Sequence, residues 1–246
     1  MLNPTKIDKE KLKKFRTEVT RSMLLYKFAL DEITTKVNIL QEEFQLIHEY
    51  NPIEHVNTRV KSPESILKKV HKKNLPFTIQ SIQEHIHDIA GIRIICSFGS
   101  DIYRIADMIL SQEDIEVIEV KDYIEHPKPN GYQSLHIIMK IPVFMTYGEE
   151  HVFVEMQIRT IAMDFWASLE HKIYYKYNKK VPSYLTDELR EAAKAAAHLD
   201  RKMEKINNEI TLIKEADLDE EMVEEASDPE RLLFNEIKKV GLHYKQ

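Results

Sequence analysis

The chain has 246 residues, of which 43% are hydrophobic and 31% are charged, a composition typical of a globular protein with a substantial core. Its net charge is −6, but residues 215–230 hold nine acidic residues and no basic one. The rest of the chain is therefore net basic, which suits a small anionic ligand better than a long nucleic-acid track.

The sequence carries no sign of secretion or of a membrane. Its single cysteine, Cys96, excludes an intrachain disulfide, and the N-terminus lacks the apolar segment of a signal peptide. No run approaches the roughly 18 apolar residues that a membrane span needs. We expect a cytoplasmic protein with no membrane partner.

The first part of the chain, residues 1–50, is predicted to be a helical segment. Apolar residues recur there at helical spacing, and no proline or glycine interrupts residues 6–51. This pattern indicates one long helix, or two joined by a tight turn, that ends at Asn51-Pro52 and packs on a sheet.

A further helix is predicted to begin at Ser62. Serine at the N-cap, Pro63 at the first helical position and Glu64 in the first turn form a strong start signal. The free N–H groups and the dipole of a helix N-terminus favour phosphate. A solvated basic helix face is the alternative interpretation. The candidate phosphate ligands are Arg59, Lys61, Ser65 and Lys69.

The middle of the chain alternates strand and helix signals. We expect an α+β fold in which helices, including long N- and C-terminal ones, flank a mixed sheet of five strands, four of which can be located. The predicted strands are residues 91–98, 115–120, 135–143 and 151–160. A helix is predicted before the first of them, at residues 78–85, and another after it, at residues 101–111.

The stretch 151–160 carries the strongest functional signal. Apolar and polar residues alternate in it, so Glu155, Gln157 and Arg159 lie on one face of a strand. A solvated outer face explains most such strips, but Asp88 stands just before another predicted strand. If the two strands are neighbours, Asp88 and Glu155 could share a magnesium ion.

Basic and aromatic residues elsewhere suit a nucleotide. Arg59, Lys61, Lys69 and Arg93 could neutralise a triphosphate, and arginine planes can also stack on a base. Tyr132 follows turn-forming residues in a predicted loop and could stack on a purine. An ordinary tyrosine at the start of a strand is the alternative.

Other kinds of site are disfavoured. With five glycines, the chain has neither a Walker loop nor a dinucleotide-binding glycine motif. His87-Asp88 is similar to the metal pair of HD-type phosphohydrolases, but that pair lies on helices, whereas a strand follows here. His85 and His87 lack further ligands at zinc-site spacing, and nothing near Cys96 would activate a thiolate.

Helical patterns return after the last strand. Apolar residues four apart predict a helix over residues 160–177. Over residues 189–213 the apolar spacing is a strict 3-4-3-4, a coiled-coil-like seam that pairs within the chain or between chains. Residues 183–246 are predicted to be C-terminal helices with an acidic linker: the acidic residues 215–230 form a loose linker, and residues 228–240 form a final helix.

Four separated motifs resemble the synthetase domain of the RelA/SpoT family. Their order and spacing match over residues 51–177, and we place the synthetase core at residues 51–180. With no room for the hydrolase and regulatory domains of long members, the chain is similar to small alarmone synthetases of the RelP or RelQ kind. The motifs are Arg59-Val-Lys61 with Ser65 and Lys69; His87-Asp-Ile-Ala-Gly-Ile-Arg93; Tyr123-Ile with Lys128-Pro-Asn-Gly-Tyr132 and Leu135-His136; and Val154-Glu-Met-Gln-Ile-Arg-Thr160.

This resemblance implies a magnesium-dependent pyrophosphokinase of the stringent response. The β,γ-pyrophosphate of ATP would pass to the ribose 3′-hydroxyl of GDP or GTP, giving ppGpp or pppGpp and AMP. In-line transfer of this kind needs positioning and charge neutralisation more than covalent chemistry. The resemblance also implies a fold related to the nucleotidyltransferases and a homotetramer built through terminal helices, to which the seam at residues 189–213 is suited.

The resemblance further implies a role for each matching position. Asp88 and Glu155 would be the catalytic residues and would hold Mg²⁺, and Glu155 would also take the proton of the 3′-hydroxyl. Arg59 and Arg93 would sandwich adenine. The ligands of the ATP phosphates would be Lys61, Ser65, Lys69 and Lys121, and those of GDP or GTP would be Lys128, Asn130, Tyr132 (stacked on guanine), His136, Gln157 and Asp164.

One departure and two alternatives remain. Many relatives have arginine where Gln133 stands, so one positive charge near the acceptor is missing and the preference between GDP and GTP stays open. The first alternative is a non-catalytic regulator that binds nucleotide or RNA, against which the intact Asp88 and Glu155 argue. The second is a pyrophosphokinase of the same fold acting on adenine nucleotides or tRNA, which Tyr132 alone does not exclude.

Overall fold

The structure, a computed structural model, describes residues 9–48, 50–176 and 182–225. Strands and helices alternate through the middle of these ranges, and a long helix stands at each end. In chain order the elements are α1 Lys9–Ile47, β1 Ile53–Val60, α2 Pro63–Lys72, α3 Ile79–His85, β2 Ala90–Cys96, α4 Gly99–Leu110, β3 Glu116–Asp122, β4 Leu135–Met145, β5 Gly148–Thr160, α5 Ile161–Lys176 and α6 Ser183–Glu225.

The strands form one mixed sheet in the order β1-β2-β5-β4-β3. β2 and β5 pair in parallel, whereas the other neighbouring pairs are antiparallel. This arrangement confirms the predicted α+β fold with a mixed five-stranded sheet flanked by helices. β5, the strand with the alternating pattern, lies at the centre between β2 and β4.

The strand that could not be located from the sequence is β1, at one edge of the sheet. Only Ile53 of its eight residues is buried, and its sequence lacks the alternation of apolar and polar residues that would identify a strand. Its antiparallel pairing places Arg59 opposite Gly91 of β2. An edge strand pairs on one side only and tolerates polar residues on both faces.

The core lies between α1 and one face of the sheet. The alternate residues Val154, Met156 and Ile158 of β5 are completely buried, in one cluster with Ile33 and Val37 of α1. α1 is a single helix, which decides between the two arrangements that the sequence left open. The polar residues of β5 consequently point away from this core.

α2 begins as its capping signal predicts. The Ser62 side chain accepts a hydrogen bond from the Ser65 N–H at 3.3 Å, and Pro63 is the first helical residue. The helix buries Ile66 and its neighbour one turn on against the core. The same orientation lets Lys69 reach Asp88, so the cap helps to set the position of a candidate ligand.

The apolar stripe that predicts α5 faces outward. Trp166 and Ala167 bury α5 against α6, and Met163 joins the main core. The spacing of four residues therefore predicted the helix correctly but does not mark its buried side. The exposed residues are Ile161, Phe165, Leu169 and Ile173.

α6 packs on α5 and α4 and extends to Glu225. Residues 215–225 are therefore helical, and the prediction of a loose linker is wrong for them, because glutamate-rich sequence continues a helix readily. The rest of the acidic stretch and the predicted helix at residues 228–240 lie outside the described residues. Within the described ranges, no helix has both the length and the hydropathy to cross a bilayer.

Candidate active site

Glu155, Gln157 and Arg159 form a hydrogen-bonded strip along β5. Gln157 Nε2 donates to Glu155 Oε2 at 2.9 Å, and Arg159 donates to Gln157 Oε1 at 2.6 Å. The period-two pattern of the sequence thus indicated their common side correctly. Their side chains are linked in a line, so the orientation of Glu155 depends on the two residues beyond it.

Asp88 and Glu155 line the same cleft, which has a volume of about 300 Å³. Asp88 lies just before β2, and Gly91 of β2 pairs with Glu155 in the parallel ladder. The two strands are therefore neighbours, as the magnesium hypothesis required. Basic side chains on the wall of this cleft belong to Lys69, Lys73, Lys121 and Lys128.

One carboxylate oxygen of Asp88 accepts hydrogen bonds from two lysines. Lys61 and Lys69 each donate to Asp88 Oδ2 at 2.6 Å, whereas the buried Oδ1 has no hydrogen-bond partner. Burial alone would raise the pKa of Asp88, but the hydrogen bonds from the two lysines outweigh it and the pKa is lowered. Asp88 is thus an ionised carboxylate with one oxygen left for a further ligand.

The carboxylates fit a cation that takes few protein ligands. Among the side chains that the structure describes, no three of histidine, cysteine, aspartate or glutamate are arranged to hold a metal ion. Mg²⁺ commonly takes one or two carboxylates and completes its shell with phosphate oxygens and water. Asp88, with its unpartnered Oδ1, and Glu155 supply that minimal set.

Arg59 and Arg93 line a second, smaller cleft of about 100 Å³ beside Glu155. The Arg59 side chain lies along Gly91, where an added Cβ would be 3.6 Å from its Cγ. Arg93 donates to Asp164 Oδ1 at 3.2 Å, while its buried Nε has no hydrogen-bond partner. The structure therefore brings the two guanidinium groups of the predicted adenine sandwich to one cleft.

Tyr123 and His136 line the main cleft, and Tyr132 packs against both in an aromatic cluster. Tyr123, Tyr132 and His136 meet edge to face, with ring centroids 5.1 to 6.2 Å apart. Lys128 Nζ lies 4.3 Å from the centroid of Tyr123 and 4.7 Å from that of Tyr132, and the Arg159 guanidinium lies 4.9 Å from the latter. The predicted guanine-stacking ring is therefore half-buried among cations.

His136 is a neutral ring beside Glu155. Burial, reinforced by Lys128 and Arg159, lowers its pKa to about 3, although Glu155 Oε1 lies 3.8 Å from His136 Nδ1. Tyr132 accepts a hydrogen bond from Arg159, which leaves its hydroxyl proton for His136 Nε2 at 2.7 Å. With the Tyr132 hydroxyl donating to Nε2, the ring proton of His136 would be on Nδ1, the nitrogen that faces Glu155.

Asp164, in the first turn of α5, holds two arginines. Its Oδ1 accepts from Arg93 at 3.2 Å and from Arg159 at 3.1 Å. The side chain of Arg159 is only 5% exposed. It also donates to Gln157 and Tyr132, so it joins the strip on β5 to the aromatic cluster.

Ser65, Lys121 and Asn130 are less directly placed. Ser65 is exposed, accepts from the N-cap serine at 3.0 Å, and is not among the residues that line the cleft. Lys121 lines the cleft but pairs with Glu119 at 2.7 Å. The Asn130 amide donates to Glu170 of α5 at 3.2 Å. Their nucleotide contacts stay predictions.

The central segment of the chain has a match among known families. A family model described as "Region found in RelA / SpoT proteins" matches residues 58–180, which include Asp88, Glu155 and the aromatic cluster. The chain belongs to the RelA/SpoT family.

Similar proteins place it among the small RelA/SpoT proteins. The GTP pyrophosphokinase YwaC of Bacillus subtilis (strain 168) is 55% identical over 199 residues, 81% of this chain and 95% of its own length. The small alarmone synthetase 2 from B. subtilis has a TM-score of 0.72 at 54% identity, over 78% of this chain and 99% of that one. The small alarmone synthetase 1 from B. subtilis, bound to its product pppGpp, has a TM-score of 0.73 at 37% identity, over 78% and 98%. This RelA/SpoT protein is a small alarmone synthetase.

Two residues of the RelA/SpoT motifs contribute more than the sequence indicated. Tyr123, which was only part of a matching motif, packs on the rings of Tyr132 and His136, both predicted to bind the acceptor. Arg159, expected only as the end of the strip, fixes the Tyr132 hydroxyl. The role of Tyr123 depends on the β3–β4 register, which pairs Lys121 with His136, and that of Arg159 on the β4–β5 register, which pairs His136 with Gln157. Neither register has a local signal in the sequence.

Gln133, where the sequence departs from the pattern of the resemblance, is hydrogen-bonded to the segment before the loop. Its Nε2 donates to the Ile124 carbonyl at 3.3 Å. The side chain also borders a groove between the loop and α6 whose other walls include Arg190 and Arg201. Other cations therefore lie near the position where the positive charge is missing.

Proposed function

We propose that this small alarmone synthetase transfers the β,γ-pyrophosphate of ATP to the ribose 3′-hydroxyl of GDP or GTP, giving ppGpp or pppGpp and AMP in the stringent response. Residues 51–180 form the synthetase core in this proposal. The observation that carries it is the cleft shared by Asp88 and Glu155, with lysines at the first carboxylate and an aromatic cluster beside the second.

Two lysines that can exchange a carboxylate for phosphate support the proposed ATP site. Lys61 and Lys69 already converge on Asp88, so a triphosphate brought there would exchange their carboxylate partner for phosphate oxygens. The two guanidinium groups of the smaller cleft are planar and suited to stack on adenine. Asp88 and Glu155 would hold Mg²⁺, which when bound supplies charge neutralisation for the transferred group.

Glu155 is suited to take the proton of the attacking hydroxyl. Its Oε2 accepts from Gln157 at 2.9 Å, so the carboxylate is oriented before the acceptor arrives. Its Oε1 lies 3.8 Å from the neutral His136 ring, which adds no competing charge. A positioned general base typically contributes about 10² to 10⁴ in rate.

The fixed ring of Tyr132 and the flexible side chain of Lys128 support the proposed site for GDP or GTP. Tyr132 is held through its hydroxyl by Arg159 and His136, so its plane is set without a ligand. Lys128 lies over the same ring on a flexible stem. A guanine stacked on Tyr132 would displace Lys128 from the ring, and the lysine would be released toward the acceptor's phosphates.

The reaction is tested by incubating the purified protein with γ-labelled ATP, Mg²⁺ and either GDP, GTP, AMP or no acceptor. We expect label in ppGpp or pppGpp together with an equal amount of AMP. Label in an adenine product would contradict the acceptor assignment. ATP and GDP binding with no transfer would contradict the enzymatic proposal and favour a nucleotide-binding regulator.

We also propose that the chain assembles as a homotetramer through its terminal helices. Phe165 of α5 is 64% exposed, and the seam of α6 is exposed beyond Ala196. Apolar residues at this density on helix faces mark protein–protein contacts more often than monomer surface. The exposed seam residues are Leu199, Met203, Ile206, Ile210 and Ile213.

A further inference from the structure

The loop that carries Lys128 and Tyr132 is a tight turn built around a glycine. We call residues 127–133 the acceptor loop. The Gly131 N–H donates to the Lys128 carbonyl at 2.8 Å, and the Lys128 N–H donates to the Tyr132 carbonyl at 3.1 Å. Gly131 has a φ of 92°, in the left-handed region that favours glycine. The turn is therefore compact and closed by its own hydrogen bonds.

α6 lies against this turn at the glycine. A Cβ added to Gly131 would be 2.5 Å from the Cβ of Ala193, so the helix and the loop approach as closely as glycine permits. Beside this contact, Arg190 Nε donates to the Pro129 carbonyl at 2.9 Å, and Asp187 accepts from the same guanidinium at 2.9 Å. The loop is thus both packed on α6 and hydrogen-bonded to it.

The ring of Tyr132 rests on the same helix. Trp166 and Ala193 are buried in a small cluster, and Tyr132 and Leu189 pack against it. Trp166 Nε1 donates to the Leu189 carbonyl at 3.0 Å, which ties α5 to α6 beneath the ring. Of the donor-side candidates, Arg59, Lys61, Ser65, Lys69 and Arg93 lie on β1, α2 and β2 or on the turn between β1 and α2, and Lys121 lies on β3, so none of them is on α5 or α6.

We infer that Ala193 and Arg190 are positioning residues for the acceptor nucleotide, because they hold the acceptor loop and thereby Lys128 and Tyr132. The inference rests on the proposed use of GDP or GTP as acceptor. A larger side chain at residue 193 would displace the loop from α6, because the backbone of Gly131 occupies the space next to the Ala193 Cβ. A displaced loop would weaken acceptor binding and leave ATP binding in place.

Ala193→Leu and Ala195→Leu form a matched pair, because both enlarge an alanine of α6 but Ala195 is exposed. Ala193→Leu is expected to raise both KM and the dissociation constant for GDP by about tenfold or more, while the values for ATP stay within about twofold. Ala195→Leu should match the wild type for both nucleotides. Calorimetric titration of the intact protein, with circular dichroism as a check on folding, measures these effects.

Arg190→Ala removes the hydrogen bond from Arg190 to the Pro129 carbonyl without enlarging a side chain. It therefore tests the positioning role even if Ala193→Leu does not fold. We expect KM for GDP to rise about three- to tenfold, and Arg190→Lys to recover part of the loss because it keeps a donor. Hydrogen exchange of residues 124–134 should be faster in Arg190→Ala than in the wild type. That readout requires no catalytic activity.

The outcomes separate this inference from the proposed function. If the variants at positions 190 and 193 keep the GDP affinity and the loop hydrogen exchange of the wild type, the inference is wrong. The proposed function would be unaffected by that result, because it depends on the transfer reaction of the wild-type protein. Equal losses of ATP and GDP affinity would also overturn the inference. Faster loop exchange in the variants of a protein that transfers nothing to GDP would support positioning by α6 and contradict the proposed function.

Discussion

Asp88 and its two lysines form a charge arrangement that has to change when substrate binds. Lys61 and Lys69 reach the same Oδ2 at 2.6 Å each and neutralise the carboxylate that a cation would need. Phosphate groups would draw both lysines away and leave Asp88 to the metal ion. Metal and ATP are therefore expected to bind together rather than independently.

Lys69→Met is expected to strengthen binding of Mn²⁺, as a probe for Mg²⁺, to the nucleotide-free protein by about tenfold, because one cation beside Asp88 is removed. ATP affinity should fall in the same variant. Lys72→Met is the control, since Lys72 is exposed on the same helix. Electron paramagnetic resonance counts free Mn²⁺ directly, and an affinity unchanged by Lys69→Met would contradict the competition between lysine and metal.

His136 is expected to make stability depend on pH. Its pKa is about 3 in the folded protein, against 6.5 for an unperturbed histidine ring, so the unfolded state binds more protons between these limits. The contribution is complete above pH 6.5 and is lost as the pH falls toward 3. Urea unfolding at pH 7 and pH 5 should show a loss of up to about 2 kcal/mol that His136→Gln lacks. The same pH dependence in both proteins would refute the buried neutral ring.

The strand and helix that carry the proposed ATP-binding residues could be predicted from local sequence. The alternation around Glu155 marks a strand face, and the Ser62-Pro63 signal marks the helix that carries Lys69. Each signal concerns residues within a few positions of one another. For that reason these residues and their elements could be predicted. Predicting that they share a cleft required one further assumption, that β2 and β5 are neighbouring strands.

The residues proposed to bind the acceptor are brought together by contacts between distant parts of the chain. Tyr132 meets Arg159 because β4 and β5 pair in one register, and Gly131 meets Ala193 because α6 folds back over the loop. No periodicity encodes either contact. The exposed stripe of α5 shows a related limit, since a pattern identifies an apolar face but not whether the core or a second molecule covers it.

Ser62→Ala is expected to destabilise the protein by about 1 kcal/mol, because it removes the side-chain cap of α2. KM for ATP should rise modestly with it, since the same first turn positions Lys69 over Asp88. Ser62→Thr keeps the cap and should behave as the wild type. Chemical unfolding and steady-state kinetics test both parts, and undiminished stability in Ser62→Ala would show that the cap is not needed.

At the scale of the whole molecule, α6 connects two surfaces. Its first half supports the acceptor loop through Arg190 and Ala193, and its second half presents the exposed seam from Leu199 onward. A partner that covers the seam would hold the helix in place along its length. Acceptor affinity is therefore expected to depend on assembly.

Ile210→Glu is expected to reduce the assembly to smaller species, because it places a charge in the apolar seam. Asn208→Glu adds the same charge elsewhere on an exposed part of α6 and should leave the assembly intact. Light scattering after size-exclusion chromatography gives the mass of each variant. A wild-type mass for Ile210→Glu would exclude this seam as the interface, and a smaller mass should come with a higher KM for GDP.

Glu155, which lines the same cleft as Asp88, is proposed to drive pyrophosphate transfer, and a substitution that removes its charge tests this role. Glu155→Gln keeps the shape of the side chain and removes its charge, whereas Glu149→Gln makes the same change at an exposed position of the same strand. With saturating ATP, Mg²⁺ and GDP, we expect kcat to fall by about 10² to 10⁴ in Glu155→Gln and to be unchanged in Glu149→Gln. A kcat near wild type in a folded Glu155→Gln protein would show that Glu155 does not drive the transfer.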